Sequence, residues 1–311
     1  MERYLVTGGA GFIGSHISEE LVRRGYAVRV LDNFITGKEE NLTSFLENIE
    51  VIRADIRELS VCQKAIKDVD YVLHQAALPS VPRSIEDPML TNSINIEGTL
   101  NILIASRDEG VKRLVYASSS SVYGDDPRLP KKEGAEGKQL SPYAVSKLAG
   151  EKYCQVFSHV YDLSTVCLRY FNIFGPRQDP HSQYSAVIPK FITRLLKGNA
   201  PNIYGDGKQS RDFTYVSNVV DANLLAAKTP DISGEVFNIG CGSQTTVNLL
   251  AEILSKIMKA DIEPSYDKER LGDVRHSFAD VSSAEKALHY NPHVQLEEGL
   301  ARTVEWFKAQ A

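Results

Sequence analysis

The segment Thr7-Gly8-Gly9-Ala10-Gly11-Phe12-Ile13-Gly14 constrains this chain more than any other. It follows an apolar run, Tyr4-Leu5-Val6, and leads into a stretch of helical spacing, Ile17 to Arg24. A second apolar run, Val28 to Leu31, then ends on Asp32. Strand, glycine turn, helix, strand and acid is the order of a nucleotide-binding βαβ unit. Gly8, Gly11 and Gly14 let the backbone approach a pyrophosphate, and the helix start around Phe12 and Ile13 offers unpaired N–H groups and positive potential. Asp32 lies about 20 residues on, where a ribose 2′-hydroxyl ligand is expected. The competing reading is a tight turn with no ligand.

The alternation continues. Strand-like runs occur at Val51-Ile52-Arg53, Tyr71-Val72-Leu73, Arg113 to Ala117 and Ser164 to Leu168, with helical spacing at Leu100 to Arg107 and Ala144 to Tyr161. This pattern predicts an α/β fold, a Rossmann-type doubly wound parallel sheet with helices on both faces. Beyond Asn172 prolines and glycines interrupt the pattern, although Leu249 to Met258 and Leu300 to Lys308 are amphipathic. The expectation is a smaller mixed α/β substrate domain formed by 172–212 and 240–311. The nucleotide domain then comprises 1–171 and 213–239, with Phe213 to Val216 and Val236 to Ile239 as returning strands.

The 311 residues are 42% hydrophobic, enough for a large core, and carry a net charge of -5. No basic stripe suits nucleic acid. Cys62, Cys154, Cys167 and Cys241 form no CxxC pair, so neither a metal site nor a redox dithiol is expected. No run approaches the ~18 apolar residues of a membrane span. Scattered cysteines and the absence of a leader pattern predict a cytoplasmic protein.

Asp32 also bears on cofactor choice. Its carboxylate would repel a 2′-phosphate, and Asn33 and Phe34 bring no arginine to offset it, which favours NAD over NADP. Asp55, after the third strand, is either an adenine contact or a solvated loop aspartate.

Tyr143-Ala144-Val145-Ser146-Lys147 places a phenol and an ammonium four residues apart, on one helix face. A phenol of pKa ~10 must drop by roughly three units, about 4 kcal/mol, to act as a base near neutrality. A lysine charge and an oxidised nicotinamide both favour the phenolate. Ser118-Ser119-Ser120-Ser121 ends a strand upstream, where an open parallel sheet directs its ligands. A hydroxyl there could bond the reacting oxygen and relay its proton. Taken alone, the pair fits a surface helix and the serines a polar turn.

Together these residues resemble the extended short-chain dehydrogenase/reductase family. HQAA (His74 to Ala77), SSSSVYG (Ser118 to Gly124), RYFNIFGPR (Arg169 to Arg177), SRDF (Ser210 to Phe213) and RLGDVRHSFAD (Arg270 to Asp280) join the glycine turn and the YAVSK segment in order, across nearly the whole chain. The branch most similar is the UDP-hexose 4-epimerases that accept N-acetylated sugars. That resemblance implies firmly held NAD, a UDP-sugar substrate, and a homodimer through a helix bundle built from Leu100 to Arg107 and Leu148 to Tyr161.

By position, the resemblance makes Tyr143 the base, Lys147 its charge partner and Ser119 the bridging hydroxyl. Ile56, Ala76, Asn95 and Tyr170 join the NAD site. Asn172, Arg211 and Arg270 would hold the diphosphate and Asp273 a ribose hydroxyl, with Ser80 and Ser120 near the sugar. Arginine suits phosphate because its guanidinium makes forked bonds. Each arginine alone also fits a surface ion pair.

The implied reaction is hydride removal from C4, a transient 4-ketose, and hydride return to the opposite face. The resembling 4,6-dehydratases carry an Asp-Glu pair where Ser120 and Ser121 stand, and the decarboxylases a glutamate at Ser121. Dehydratase, decarboxylase and non-catalytic NAD-bound sensor remain the alternatives on the same scaffold, the last disfavoured by the intact Ser119, Tyr143 and Lys147. Ser277 falls where epimerases confined to plain sugars carry tyrosine, which leaves room for a 2-acetamido group; a generic surface serine is the other reading. Gln178 and Ala186 would line the same pocket. Pro79-Ser80 departs from the glycine-serine pair of the acetylated-sugar branch, and proline fixes φ and removes a donor.

Overall fold

The alternating runs fold into a seven-stranded sheet, seen in a computed structural model that describes residues 1–180, 187–268 and 274–310. Its strands are β1 (Arg3–Thr7), β2 (Ala27–Asp32), β3 (Ile49–Arg53), β4 (Tyr71–His74), β5 (Arg113–Ser119), β6 (Thr165–Tyr170) and β11 (Val236–Ile239). They lie in the order β11-β6-β5-β4-β1-β2-β3, every neighbour parallel. Strands covered on both faces are apolar almost throughout, and every residue of β6 is buried. From β1 the chain builds outward through β2 and β3, then returns to place β4 on the other side of β1. This switch point opens a crevice at the carboxyl ends of β1 and β4.

The helices are α1 (Phe12–Arg23), α2 (Leu59–Ile66), α3 (Val81–Glu86), α4 (Pro88–Asn92), α5 (Gly98–Asp108), α6 (Pro142–Val160), α7 (Val187–Leu196), α8 (Val216–Lys228), α9 (Val247–Met258), α10 (Ser282–Leu288) and α11 (Leu296–Gln310). A π turn, Ser93–Glu97, joins α4 to α5. Helix α6 starts where it does because Ser141 accepts from the Ala144 N–H at 3.2 Å and Pro142 fills the first position. Its buried residues Ala144, Lys147, Glu151 and Cys154 form one face, directed at β5 and β6.

A second apolar core gathers Phe174, Phe191, Phe213, Tyr215, Leu250, Leu254, Val304 and Phe307 from α7, α9, α11 and the segments between them. Short strands surround it: β7 (Ile173–Phe174) pairs with β10 (Thr214–Tyr215), β8 (Asn202–Tyr204) with β13 (Ser265–Asp267), and β9 (Ser210–Arg211) with both β12 (Thr245–Thr246) and β14 (His276–Ser277). Of the two returning strands expected from sequence, Val236 to Ile239 joins the main sheet beside β6. Phe213 to Val216 does not. Phe213 and Tyr215 are drawn into the second core, and Val216 already begins α8. Helix α8 itself returns Val219, Val220 and Leu224 to the large core, as does Leu288 of α10. Among the described residues no helix is long and apolar enough to cross a membrane.

Candidate active site

The glycine turn lies at the crevice. Gly8 has φ +66, and a Cβ there would sit 2.8 Å from the Cα of Ala76, the loop residue beyond β4. At Gly14 a Cβ would fall 2.2 Å from the Gly8 carbonyl oxygen. Gly11 is the N-cap of α1 and has no side chain to cap the first-turn donors, so the N–H groups of Phe12, Ile13 and Gly14 point outward without intrahelical acceptors. The turn is thus a backbone-lined cradle that side chains would fill, and it fits a dinucleotide pyrophosphate.

Asp32 ends β2 beside this cradle. Its Oδ2 accepts from Ala10 N–H at 2.9 Å and its Oδ1 from Phe34 N–H at 2.8 Å. Burial raises its pKa above the ordinary carboxylate value while these bonds oppose the rise. The carboxylate therefore braces the turn and keeps lone pairs for a ribose. Asn33 and Phe34 bring no arginine, but β3 does: Arg53 at its end stacks 4.0 Å from the Phe34 ring and its charge reaches Asp32. Residue order hid it, since β2 and β3 are neighbours only in the sheet. Arg53 is ion-paired with Glu39.

Asp55 is more than a solvated loop residue. Arg57 clamps both its oxygens at 3.0 and 2.8 Å, Asn33 donates at 2.8 Å, and the Arg57 bonds hold its pKa down to about 2. Ile56 is buried under α5 at Gly98.

A buried hydrogen-bond chain ties the crevice together. Thr99 donates to the Asn95 carbonyl at 2.7 Å, so its oxygen accepts from His74 Nε2–H at 3.0 Å. His74 Nδ1 then accepts from the Thr7 hydroxyl at 2.6 Å, whose oxygen accepts from Ala76 N–H. Burial depresses His74 to about 3, which keeps it neutral as this chain requires. The Asn95 side chain accepts from Leu78 N–H at 2.7 Å and donates to Ser146 on α6 at 3.0 Å. Tyr170 donates to Gln75 at 3.1 Å and also bonds Asn223. Asn95 and Tyr170 thus anchor the loop after β4.

Ser119, Tyr143 and Lys147 come together at the end of β5. The Ser119 hydroxyl lies close enough to Tyr143 to favour its ionised form, and it accepts from Ser121 N–H at 3.2 Å. Lys147 Nζ donates to the Ala117 carbonyl at 2.8 Å and lies 6.0 Å from the Tyr143 ring centre. The expected lysine-driven drop of the phenol pKa is not seen in the protein by itself. Burial pushes Tyr143 above its ordinary value, the Ser119 hydroxyl opposes it, and Lys147 is held by a backbone carbonyl. Lys147 is lowered to about 8 by burial, opposed by Glu151.

Arg211 on β9 and Ser277 on β14 are directly paired in the ladder. Arg211 donates to the carbonyls of Ser210 and Arg275 at 2.9 and 3.2 Å. Asn172, at φ +39, donates to the Asp212 carbonyl at 3.3 Å. Gln178 Nε2 donates to the Ile173 carbonyl at 3.1 Å. Ser80 caps α3 by accepting from Arg83 N–H, and Ser120 opens the short helix after β5. Ala186, Arg270 and Asp273 lie outside the described residues.

Two structural residues escape the sequence analysis. His74 is the hinge of the chain above. Asp212 is fully buried and accepts from the N–H groups of Cys241, Gly242 and Ala279 at 2.8, 3.0 and 3.1 Å, joining β9 to the turn after β11 and to the segment after β14. Its partners stand far along the chain, so no local pattern marks it.

Residues 4–240 match the NAD dependent epimerase/dehydratase family. The chain is 42% identical to a putative UDP-glucose 4-epimerase of Methanocaldococcus jannaschii, over 98% of both chains. It is 36% identical to a UDP-N-acetyl-alpha-D-glucosaminuronate decarboxylase of Bacillus cytotoxicus, over 99% of this chain and 98% of the other. Among solved structures it superposes on the UDP-N-acetylglucosamine 4-epimerase of Methanobrevibacter ruminantium in complex with UDP-N-acetylmuramic acid. The TM-score is 0.96, with 44% identity over 100% of this chain and 99% of that one.

Proposed function

The chain belongs to the NAD dependent epimerase/dehydratase family, and we propose that it inverts C4 of UDP-hexoses, with UDP-N-acetylglucosamine and its galacto epimer as main substrates and the plain hexoses as a second pair. The observation that carries this reading is the gathering of Ser119, Tyr143 and the Lys147 amine at the carboxyl end of β5, with the amine 6.0 Å from the phenol ring centre. The glycine cradle and Asp32 would hold NAD, which would supply hydride acceptance and return at C4. The chain's own residues handle the proton and the orientation. Tyr143 takes the O4 proton as the 4-ketose forms and gives it back afterwards. Ser119, beside Tyr143, holds O4 and bridges that transfer. Lys147 stands one helical turn away as an ammonium and favours the phenolate.

Ser120 and Ser121 supply no carboxyl for an elimination or for the acid step of a decarboxylase, which supports return of the hydride as the outcome. Arg211 would grip the diphosphate, with Arg270 and Asn172. Ser277, directly opposite Arg211, would border the C2 substituent and leave room for an acetamide. Val145, Tyr153, Val156 and Val160 leave an exposed apolar stripe along α6, and we assign it to a homodimer contact. The deciding experiment is incubation of the protein, as purified with NAD, with UDP-N-acetylglucosamine and with UDP-glucose, followed by NMR of the sugar. Interconversion supports the reading. A 4-keto-6-deoxy product, carbon dioxide release from a UDP-uronate, or binding without turnover would each replace it.

A further inference from the structure

Behind the proposed base, α6, β5 and β6 enclose a charged cluster. Arg169 on β6 is 2% exposed and Glu151 on α6 is 0% exposed. Arg169 Nε donates to Glu151 Oε1 at 2.9 Å and Nη2 to Oε2 at 2.7 Å. The Ser118 hydroxyl donates to the same carboxylate. Glu136, on the rim, takes a further bond from Arg169.

Stability alone does not account for such a cluster. Well-packed apolar side chains often replace a buried ion pair without loss. What distinguishes Glu151 is its place: it follows Lys147 by four residues on the inward face of α6, so the two side chains are neighbours. We propose that Glu151 is a positioning residue for the reaction, its carboxylate anchored by Arg169 and Ser118 and serving as the counter-charge that keeps the Lys147 amine an ammonium beside Tyr143.

The other groups around Lys147 do not supply that charge. On α6 these are Tyr143 and the buried thiol Cys154; on β5 the Tyr116 ring lies 5.0 Å under the amine. On β4 His74 is held neutral, and on β6 the Cys167 thiol is pushed up by burial. Burial raises Tyr116 and Tyr143 as well. Glu151 is thus the acidic group one turn from Lys147, with Arg169 bound to it and Glu136 and Glu133 acting on Arg169 from its other side. If Glu151 is neutralised, Lys147 loses that counter-charge while Arg169 remains. Arginine does not deprotonate in proteins, so the proton leaves Lys147. Burial favours that loss, since it already disfavours the charged amine. Gly150 serves the same packing: a Cβ there would fall 2.2 Å from the Tyr116 hydroxyl, so α6 could not lie close enough to β5.

The proposal rests on Tyr143 as the base, but its test does not. Protein labelled with carbon-13 at lysine Cε is titrated by NMR, and the Lys147 signal is identified by its loss in Lys147→Met. Glu151→Gln, which preserves shape, is expected to lower the Lys147 midpoint by about one to two pH units, the size of a lost close counter-charge. The alkaline fall of kcat should move down with it. Glu151→Asp, which keeps the charge but withdraws it by one methylene, is expected to lower the midpoint by a smaller amount, which decides the matter should the Glu151→Gln variant not fold. An unchanged midpoint in either folded variant overturns the proposal. Retained activity in Tyr143→Phe would overturn the base assignment alone and leave the Lys147 titration standing.

Discussion

Replacing Gly14 by alanine tests whether the cradle depends on close contact between α1 and the turn after β1. The added Cβ would lie 2.2 Å from the Gly8 oxygen, 2.8 Å from its carbonyl carbon and 2.9 Å from the Gly9 Cα. All three are backbone atoms, so no side chain can rotate away. Relief requires a shift of about 1 Å between helix and turn. Overpacking of this kind typically costs 1–3 kcal/mol, and we expect Gly14→Ala near the upper end, about 3 kcal/mol. At roughly 2–4 °C per kcal/mol, the melting temperature should fall by about 6 °C or more. The same shift misaligns the first-turn N–H groups, so NAD affinity by calorimetry should drop at least ~10-fold. Gly11→Ala is the control: its Cβ meets only the Gly8 oxygen, at 3.1 Å, which a shift of a few tenths of an ångström relieves. If Gly14→Ala melts and binds NAD like the parent, or if Gly11→Ala is hurt equally, the steric reasoning is wrong.

Tyr143→Phe should bind NAD and UDP-sugar normally and lose about 10²–10⁴ in kcat, the range of a general base; parental turnover refutes the role. Ser277→Tyr should lower the ratio of acetylated to plain UDP-hexose turnover by about 10-fold or more, and an unchanged ratio removes Ser277 from the sugar pocket. Lys147 sits at about 8 against 10.5 for an ordinary lysine, so between these values the unfolded chain binds more protons. Stability should therefore rise from pH ~8 to ~10.5, by about 3 kcal/mol at most, and urea titrations of Lys147→Met should lack that rise; equal pH slopes would count against it. Val156→Arg, on the exposed stripe of α6, should shift the protein to a monomer in light scattering, and an unaltered mass places the contact elsewhere.

Some elements were legible because their cause is local. Gly8, Gly11, Gly14 and Asp32 declare a turn and a strand end within one βαβ unit, and the structure places all four at the crevice. Tyr143 and Lys147 share a face because four residues make about one helical turn. Other features had no local cause. Phe213 to Val216 has a strand's composition, yet its aromatics pack in the second core and its last residue starts α8. Arg53 reaches Asp32 only because β2 and β3 are laid side by side.

The sequence by itself determined the nucleotide-binding order of elements, the position of the phenol and its lysine, and the absence of carboxyls at Ser120 and Ser121. These follow from spacing and side-chain chemistry along a few consecutive residues. Only the tertiary structure decided which groups surround them: Ala117 holding the amine, Glu151 and Arg169 balancing charge behind it, Arg211 facing Ser277, and Asp212 gathering three distant backbone donors. Electrostatic and hydrogen-bond environments depend on distance in space, and residues separated by tens of positions become neighbours only when the sheet and the two cores have formed.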